Sequence, residues 1–216
     1  MAWHRSGGGL RPMNPRSPYD IALVDITAPD LDHDLYWQCL SLRREVFIST
    51  MGWNLFQRDG CEFDAYDTPA SVHLAALDGG RVEACMRLMR TDNDQGGVTY
   101  MILDAHLGRI PNLPTGLLDQ VIATPFAWEA SRLAISSRVP VPTRNAVVVD
   151  LIGEGTRYAA ARGAGTLLGL MKPAFERVLR RAGFDVYRAG PILDQRDGRI
   201  CVLRLDFEPS QSLRVA

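Results

Sequence analysis

Lysine is nearly missing from this chain of 216 residues: of 24 basic side chains, set against 25 acidic ones, Lys172 is the only lysine. The formal net charge of -1 lacks the basic excess that a phosphate backbone demands, so nucleic acid is excluded as the main partner. Cysteine is scarce as well. Cys39, Cys61, Cys85 and Cys201 form no C-x-x-C pair and no His/Cys spacing suited to zinc, so neither a disulfide framework nor a metal site is expected. Isolated thiols of this kind suit a reducing cytoplasm. No apolar run approaches the roughly 18 residues of a membrane span. Residues 1–20 contain three glycines and three prolines but no apolar core, which excludes a signal peptide. Residues 1–18 read as a flexible amino-terminal extension, followed by one domain over 19–216.

What is present belongs to an ordinary globular protein, with 46% hydrophobic and 23% charged residues. A strand pattern over 19–26 precedes a helical one over 30–50, where Leu31, Leu35, Cys39, Leu42 and Val46 recur at helical spacing and Asp30 or Asp32 can cap. Two strand patterns, 71–77 and 81–89, flank the turn signal Asp78-Gly79-Gly80. A polar loop at 91–97 leads to short helical pieces at 100–107 and 115–122, then a strand over 127–136. The second half alternates: helix 143–162 with Pro142 in its first turn, strand 166–171, helix 172–182 closed by Gly183, and strands 184–189 and 199–207. Antiparallel strands first and helix–strand alternation afterwards predict a single α/β domain, a mixed sheet with helices on both faces.

The informative residues are charges inside apolar segments. Arg43 sits in Leu42-Arg43-Arg44-Glu45-Val46-Phe47, and Trp53 follows six residues after Phe47. Glu62, Asp64 and Asp67 then fall within six residues, with Glu62 and Asp64 on one face if the stretch is extended. Arg87 interrupts the strand pattern 81–89, and Glu129 and Arg132 bracket Ser131. Charges within strands are seldom buried unpaired, so the arginines can offset the acidic trio. Such a set can hold a ligand that carries charges of both signs. Surface ion pairs are the alternative.

The order Arg43-x3-Phe47-x5-Trp53, Glu62-x-Asp64-x2-Asp67, Arg87-Leu88, Glu129-x-Ser131-Arg132 resembles the acyl-homoserine lactone synthase (autoinducer synthase) family, in motif form over about residues 40–133 and more loosely to Gly183-Phe184. Two positions depart from the family pattern: Ala84 stands where a Gly is usual, and Arg90 where a Pro is frequent. The resemblance implies a GNAT-like fold, a twisted mixed sheet splayed into a V-shaped cleft that takes the arm of the acyl donor. It implies that the amine of S-adenosylmethionine attacks an acyl thioester, from acyl carrier protein or acyl-CoA, and that the product lactonises with loss of methylthioadenosine. Both are substrates, and no cofactor is implied.

In that scheme Glu129 is the candidate general base, with an ion pair to Arg132 or another arginine as its alternative. Arg132 and Glu62 are placed with it in the catalytic set. Arg43, Asp64, Asp67 and Arg87 form an electrostatic frame around the substrate, and Phe47 and Trp53 pack on adenine or the sulfonium, or else belong to the core. Leu103, Leu168, Leu170, Met171 and Phe175 are equally candidate tunnel liners and core residues. Gly169, where some 3-oxo-selective relatives carry Thr, favours an unsubstituted acyl chain. Lys172, Arg177, Arg180 and Arg181 give a basic helix for an acidic carrier protein or the phosphates of CoA, unless they are simply a solvated face. Two rivals stand against this reading. A general GNAT transferase acting on another amine would show a Gly-rich pyrophosphate loop after the central strand, and 134–140 has none. A non-catalytic S-adenosylmethionine or acyl sensor would not need Glu129 with the full charged set.

Overall fold

The structure is a computed structural model that describes residues 17–29 and 31–210. Most of the expected amino-terminal extension, the alternative cap Asp30 and residues 211–216 therefore lie outside the described residues. The described residues form two compact units: an amino-terminal unit of 17–89 with 131–154, and a carboxy-terminal unit of 90–130 with 155–210.

In the amino-terminal unit, β1 (Asp20–Asp25) pairs antiparallel with β4 (Ser71–Asp78), and β4 pairs antiparallel with β5 (Arg81–Arg90). The hairpin between β4 and β5 turns on Gly79 and Gly80, with φ of 57° and 83°. This left-handed pair suits a tight hairpin and costs a residue with a Cβ more than it costs glycine. Helix α1 (His33–Arg43) is capped by Asp32, whose side chain accepts from the Asp34 and Leu35 amides. It continues as a π-helical segment, Arg44–Thr50. The helical pattern over 30–50 is thus observed, but the slip from α to π is invisible to apolar spacing, because both forms bury one face. Cys39, Leu42, Val46 and Phe47 from this helix pack with Val24, Ala75, Val82, Cys85 and Ala134 in one core cluster. A short hairpin, β2 (Gln57–Arg58) and β3 (Cys61–Glu62), follows around Asp59-Gly60. The sequence reading missed it because its strands hold two residues each.

Strand β6 (Ala127–Ile135) is shared: 127–130 belong to the carboxy-terminal unit and 131–135 to the amino-terminal one. Hydrogen-bonded order runs β1-β4-β5-β6 on one side of it and, on the other, β6, β7 (Thr166–Met171), β10 (Gly198–Asp206) and β8 (Asp185–Arg188). In the carboxy-terminal unit, β6 is parallel to β7, and β10 is antiparallel to β7, to β8 and to β9 (Leu193–Gln195). The sheet is therefore mixed, as expected, and the helices α2 (Met101–His106), α3 (Val141–Ala160) and α4 (Ala174–Arg181) complete an α/β fold.

One predicted helix is absent. Residues 115–122 are irregular, and their backbone is held by other parts of the unit instead. The Leu118 amide donates to His106 Nδ1 (3.1 Å), the Asp119 amide to the Ala189 carbonyl (2.9 Å), and the Tyr100 hydroxyl to the Ile122 carbonyl (2.6 Å). Gly190 permits this docking: a Cβ there would lie 2.2 Å from the Leu117 carbonyl oxygen. Leu117 and Leu118 are buried, so the apolar pair that looked helical is satisfied by loop packing. All four cysteines are free and buried. No helix among the described residues is long and apolar enough to cross a membrane.

Candidate active site

The amino-terminal unit gathers the charged motif residues into one closed cluster. Arg43, at the end of α1, donates from Nε to Glu62 Oε2 (2.5 Å) and from Nη1 and Nη2 to the two oxygens of Asp67 (2.7 and 2.8 Å). Arg87, on β5, pairs with Asp64 through Nη1 and also through Nη2 (3.1 Å), reaches Asp67 Oδ1 (2.8 Å), and donates from Nε to the Ser131 hydroxyl (3.3 Å). Arg132, on β6, pairs with Asp64 Oδ2 (2.7 Å) and Glu62 Oε1 (3.3 Å). The acidic residues share no strand face. Glu62 ends β3, and Asp64 and Asp67 sit in the turn beyond it, where the Asp64 amide donates to Asp67 and the Tyr66 amide to Asp64. That turn directs three carboxylates to one place more tightly than strand alternation would.

Three cations against three anions leave the cluster neutral. Arg43, Arg87 and Glu62 are fully buried, so each charge depends on its partners: charges this far from water are tolerated when paired and hydrogen-bonded. Burial alone would raise the carboxyl of Asp67, but hydrogen bonds from Arg43 and the charges of Arg87 and Arg43 outweigh it and hold the group well below the usual carboxylate range. Asp64 is likewise lowered, with Arg87 and Arg132 outweighing burial. Burial would lower the guanidinium of Arg43, yet Asp67 and Glu62 raise it further. Arg43, Asp64 and Asp67 are therefore ionised at neutral pH.

Phe47 and Trp53 lie against this cluster. Their rings stack at 5.2 Å with planes 8° apart, and the Arg132 guanidinium stands 5.8 Å from the Phe47 ring centre. Phe47 is buried in the core cluster and Trp53 is half-buried beside it. Arg132 has a left-handed backbone, φ 53°, in the middle of a strand. Such a conformation costs a residue other than glycine about 1–3 kcal/mol and persists where its surroundings fix it. Here the ion pairs to Asp64 and Glu62 do so.

Glu129 lies in the carboxy-terminal unit. It is fully buried, and its carboxylate accepts from the amides of Met101 (3.2 Å) and Ile102 (2.6 Å) at the start of α2. This meets two of the donors a helix amino terminus leaves unpaired. Leu103 and Leu168 are buried, while Leu170, Met171 and Phe175 are partly so. On the basic helix, Arg177 and Arg181 are exposed, and Lys172 is exposed just before its first turn. Arg180 is tied to Glu176 at 3.1 Å.

Ser131, quoted in the motif without a role, supports Arg87. One residue in the cluster was missed by sequence reasoning. His73, paired across the sheet with Arg87, is buried with Nε2 3.8 Å from Asp67 Oδ1 and its ring edge-on to Tyr36. Neither ring nitrogen makes a hydrogen bond among the described residues. A lone His in an apolar strand carries no motif signal. Burial first, then the charge of Arg43, push its imidazole down to about 3, so it is neutral among Arg43, Arg87, Asp64, Asp67 and Tyr36. The unfolded chain protonates this His near pH 6.5 and the folded one refuses the proton until about pH 3. Between those values the unfolded state binds more protons, so stability falls as the pH falls, by up to about 1.4 kcal/mol per pH unit. Below the ordinary aspartate range, Asp64 and Asp67 add to the loss. Melting temperatures taken from pH 7 to pH 4 should decline steadily, with a shallower slope in His73→Gln; equal slopes would refute the assignment.

Solved structures share the fold. LasI, described as an AHL synthase, superposes with a TM-score of 0.70 over 88% of this chain and 90% of its own at 24% identity. BjaI, a CoA-dependent acyl-homoserine lactone synthase solved with SAM and isopentyl-CoA, gives 0.67 over 88% and 84% at 22% identity. An acyl-CoA N-acyltransferase from Pseudomonas aeruginosa gives 0.55 over 86% and 98% at 15% identity. The fold is thus that of the acyl-group N-transferases. The chain belongs to the autoinducer synthase family, whose pattern spans residues 30–215. An acyl-homoserine-lactone synthase of Ralstonia solanacearum is 31% identical over 69% of this chain and 71% of its own length. One of Acinetobacter nosocomialis is 31% identical over 73% and 84%. The protein is accordingly an acyltransferase of the acyl-homoserine-lactone synthase type.

Proposed function

We propose that this enzyme acylates the α-amine of S-adenosylmethionine from an acyl thioester and then closes the lactone, producing an N-acyl-homoserine lactone signal for quorum sensing. In the first step the amine nitrogen forms an amide, the thiol leaves, and the amine's proton passes to a base. In the second, a carboxylate oxygen displaces the sulfonium, and methylthioadenosine departs as a neutral thioether. No cofactor takes part; both reactants are substrates. The observation that carries this reading is the neutral cluster of Arg43, Arg87 and Arg132 with Glu62, Asp64 and Asp67, set beside the stacked Phe47 and Trp53.

Arg43, Asp64, Asp67 and Arg87 act as the frame, and Phe47 and Trp53 as the wall for adenine or sulfonium. Arg132 and Glu62 orient the reacting groups. Glu129 is the base, directly or through one water. Its carboxylate also accepts the amides of Met101 and Ile102, which fix its position at the start of α2. The donor is acyl-CoA or acyl carrier protein, met by Lys172, Arg177, Arg180 and Arg181. The BjaI complex supports the CoA form, and the exposed charges of Lys172, Arg177 and Arg181 suit either. Gly169 favours an unsubstituted acyl chain, and the reaction takes place in the cytoplasm, where both substrates are made. The test is mass spectrometry of the purified chain with S-adenosylmethionine and a panel of acyl-CoAs and acyl carrier proteins. Lactone together with methylthioadenosine is expected. Acylation of a different amine without lactone points to a general N-acyltransferase, and binding without turnover points to a sensor.

A further inference from the structure

We infer that Arg138 is a positioning residue, a clamp that fixes the π-helical segment carrying Phe47 to strand β5 through the buried carboxylate of Glu83. The inference rests on the reading of Phe47 and Trp53 as a substrate wall. The π-helical form is uncommon, tends to occur at functional sites, and has poorer intrinsic support than the α form. The segment Arg44–Thr50 continues α1 without a break, and side-chain tethers hold it to other parts of the unit. Arg44 supplies one, donating to Gln57 Oε1 at 2.8 Å. Glu45 supplies the other, with Oε2 3.3 Å from Arg138 Nη1.

The second tether differs from an ordinary surface pair because Arg138 is held before Glu45 meets it. Its Nε lies 3.0 and 3.2 Å from the two oxygens of Glu83, whose side chain is only 2% exposed. Arg81 shares that carboxylate at 2.5 Å. The Ser136 amide donates to the Glu83 carbonyl at 2.8 Å, and the Arg138 amide to the Ser136 hydroxyl at 3.1 Å. Arg144 adds a bond to the Val139 carbonyl. The loop 136–139 is thereby fixed to β5, and Arg138 presents a pre-organised donor to the π-helical turn. Two residues beyond Glu45, Phe47 stacks on Trp53, and the Phe47 carbonyl accepts the Trp53 amide at 2.9 Å. Slack at Glu45 therefore moves both rings of the wall together. The rings touch substrate in the ground state and the transition state alike, so their displacement should raise KM and spare kcat.

The experiment measures initial rates for the full chain while S-adenosylmethionine is varied at saturating donor. Glu45→Gln leaves the Glu83–Arg138 pairing whole; Arg138→Gln removes both contacts. Each variant should raise KM for S-adenosylmethionine about 3- to 5-fold, the size expected for loss of one pre-organised exposed pair, with kcat unchanged. The double variant should be no worse than the worse single one, as for two residues acting through one contact. A KM for Glu45→Gln equal to that of the unaltered chain overturns the clamp, and so does a fall in kcat at constant KM. If the unaltered chain forms no lactone, the functional reading fails on its own, and methylthioadenosine affinity by calorimetry decides the clamp. A matching loss of affinity in both variants sustains it; equal affinity refutes it.

Discussion

Asp67→Asn should lower the melting temperature by roughly 6–20 °C and abolish lactone formation. Asp67 receives both terminal nitrogens of Arg43 and one from Arg87, and both arginines are fully buried. An amide of the same shape keeps the volume and removes the charge, leaving two buried guanidinium groups to share Glu62 and Asp64. Breaking one partner out of a buried ionic set costs about 3–5 kcal/mol, and about 2–4 °C of melting temperature goes with each kcal/mol in a chain of this size. Asp92→Asn is the control, because the Arg90–Asp92 pair is largely solvent-exposed and such pairs contribute little. Thermal unfolding followed by fluorescence gives the first number and product mass spectrometry the second. If Asp67→Asn melts with Asp92→Asn, the cluster does not hold the unit together.

Glu129→Gln should reduce turnover by about 100-fold or more, the lower range for removal of a general base, while costing less stability than Asp67→Asn. Glutamine keeps an acceptor for one of the two amides at the start of α2 but turns an NH2 group toward the other. Some loosening of α2 is therefore expected beside the loss of the base. Glu129→Asp separates the two effects: it retains a carboxylate but shortens the reach to Met101 and Ile102. Rates as a function of pH decide the role. Loss of the acidic limb in Glu129→Gln, with its retention in Glu129→Asp, identifies the base. Near-complete activity in Glu129→Gln would remove the residue from the chemistry and leave it as a helix cap.

The fold class and most elements were legible because apolar spacing reports which face is buried, and the two-glycine turn after Asp78 fixes a hairpin. The three arginines and three carboxylates were legible as residues, since charges inside apolar runs need partners. Their pairing was not. Asp64 and Asp67 meet Arg87 and Arg43 through a turn, and no local periodicity encodes a turn that brings side chains together from α1, β5 and β6. The slip into π-helix at Arg44 was hidden because hydrogen-bond register leaves no mark on apolar spacing. The segment 115–122 misled because Leu117 and Leu118 look the same in a helix as in a loop docked on Gly190. His73 was silent because a neutral imidazole in a packed strand obeys the same pattern as any apolar residue.

The single lysine makes the protein an unusually clean subject for chemical tagging. Lys172 is exposed at the entrance to α4, whereas all four thiols are buried. An amine-directed fluorophore therefore has one side chain to modify, besides the α-amine of the chain itself, and thiol reagents have none that is open. A dye at Lys172 would stand just before the helix proposed to meet the acyl donor. Its emission would then report carrier or CoA arrival in real time, with no residue replaced.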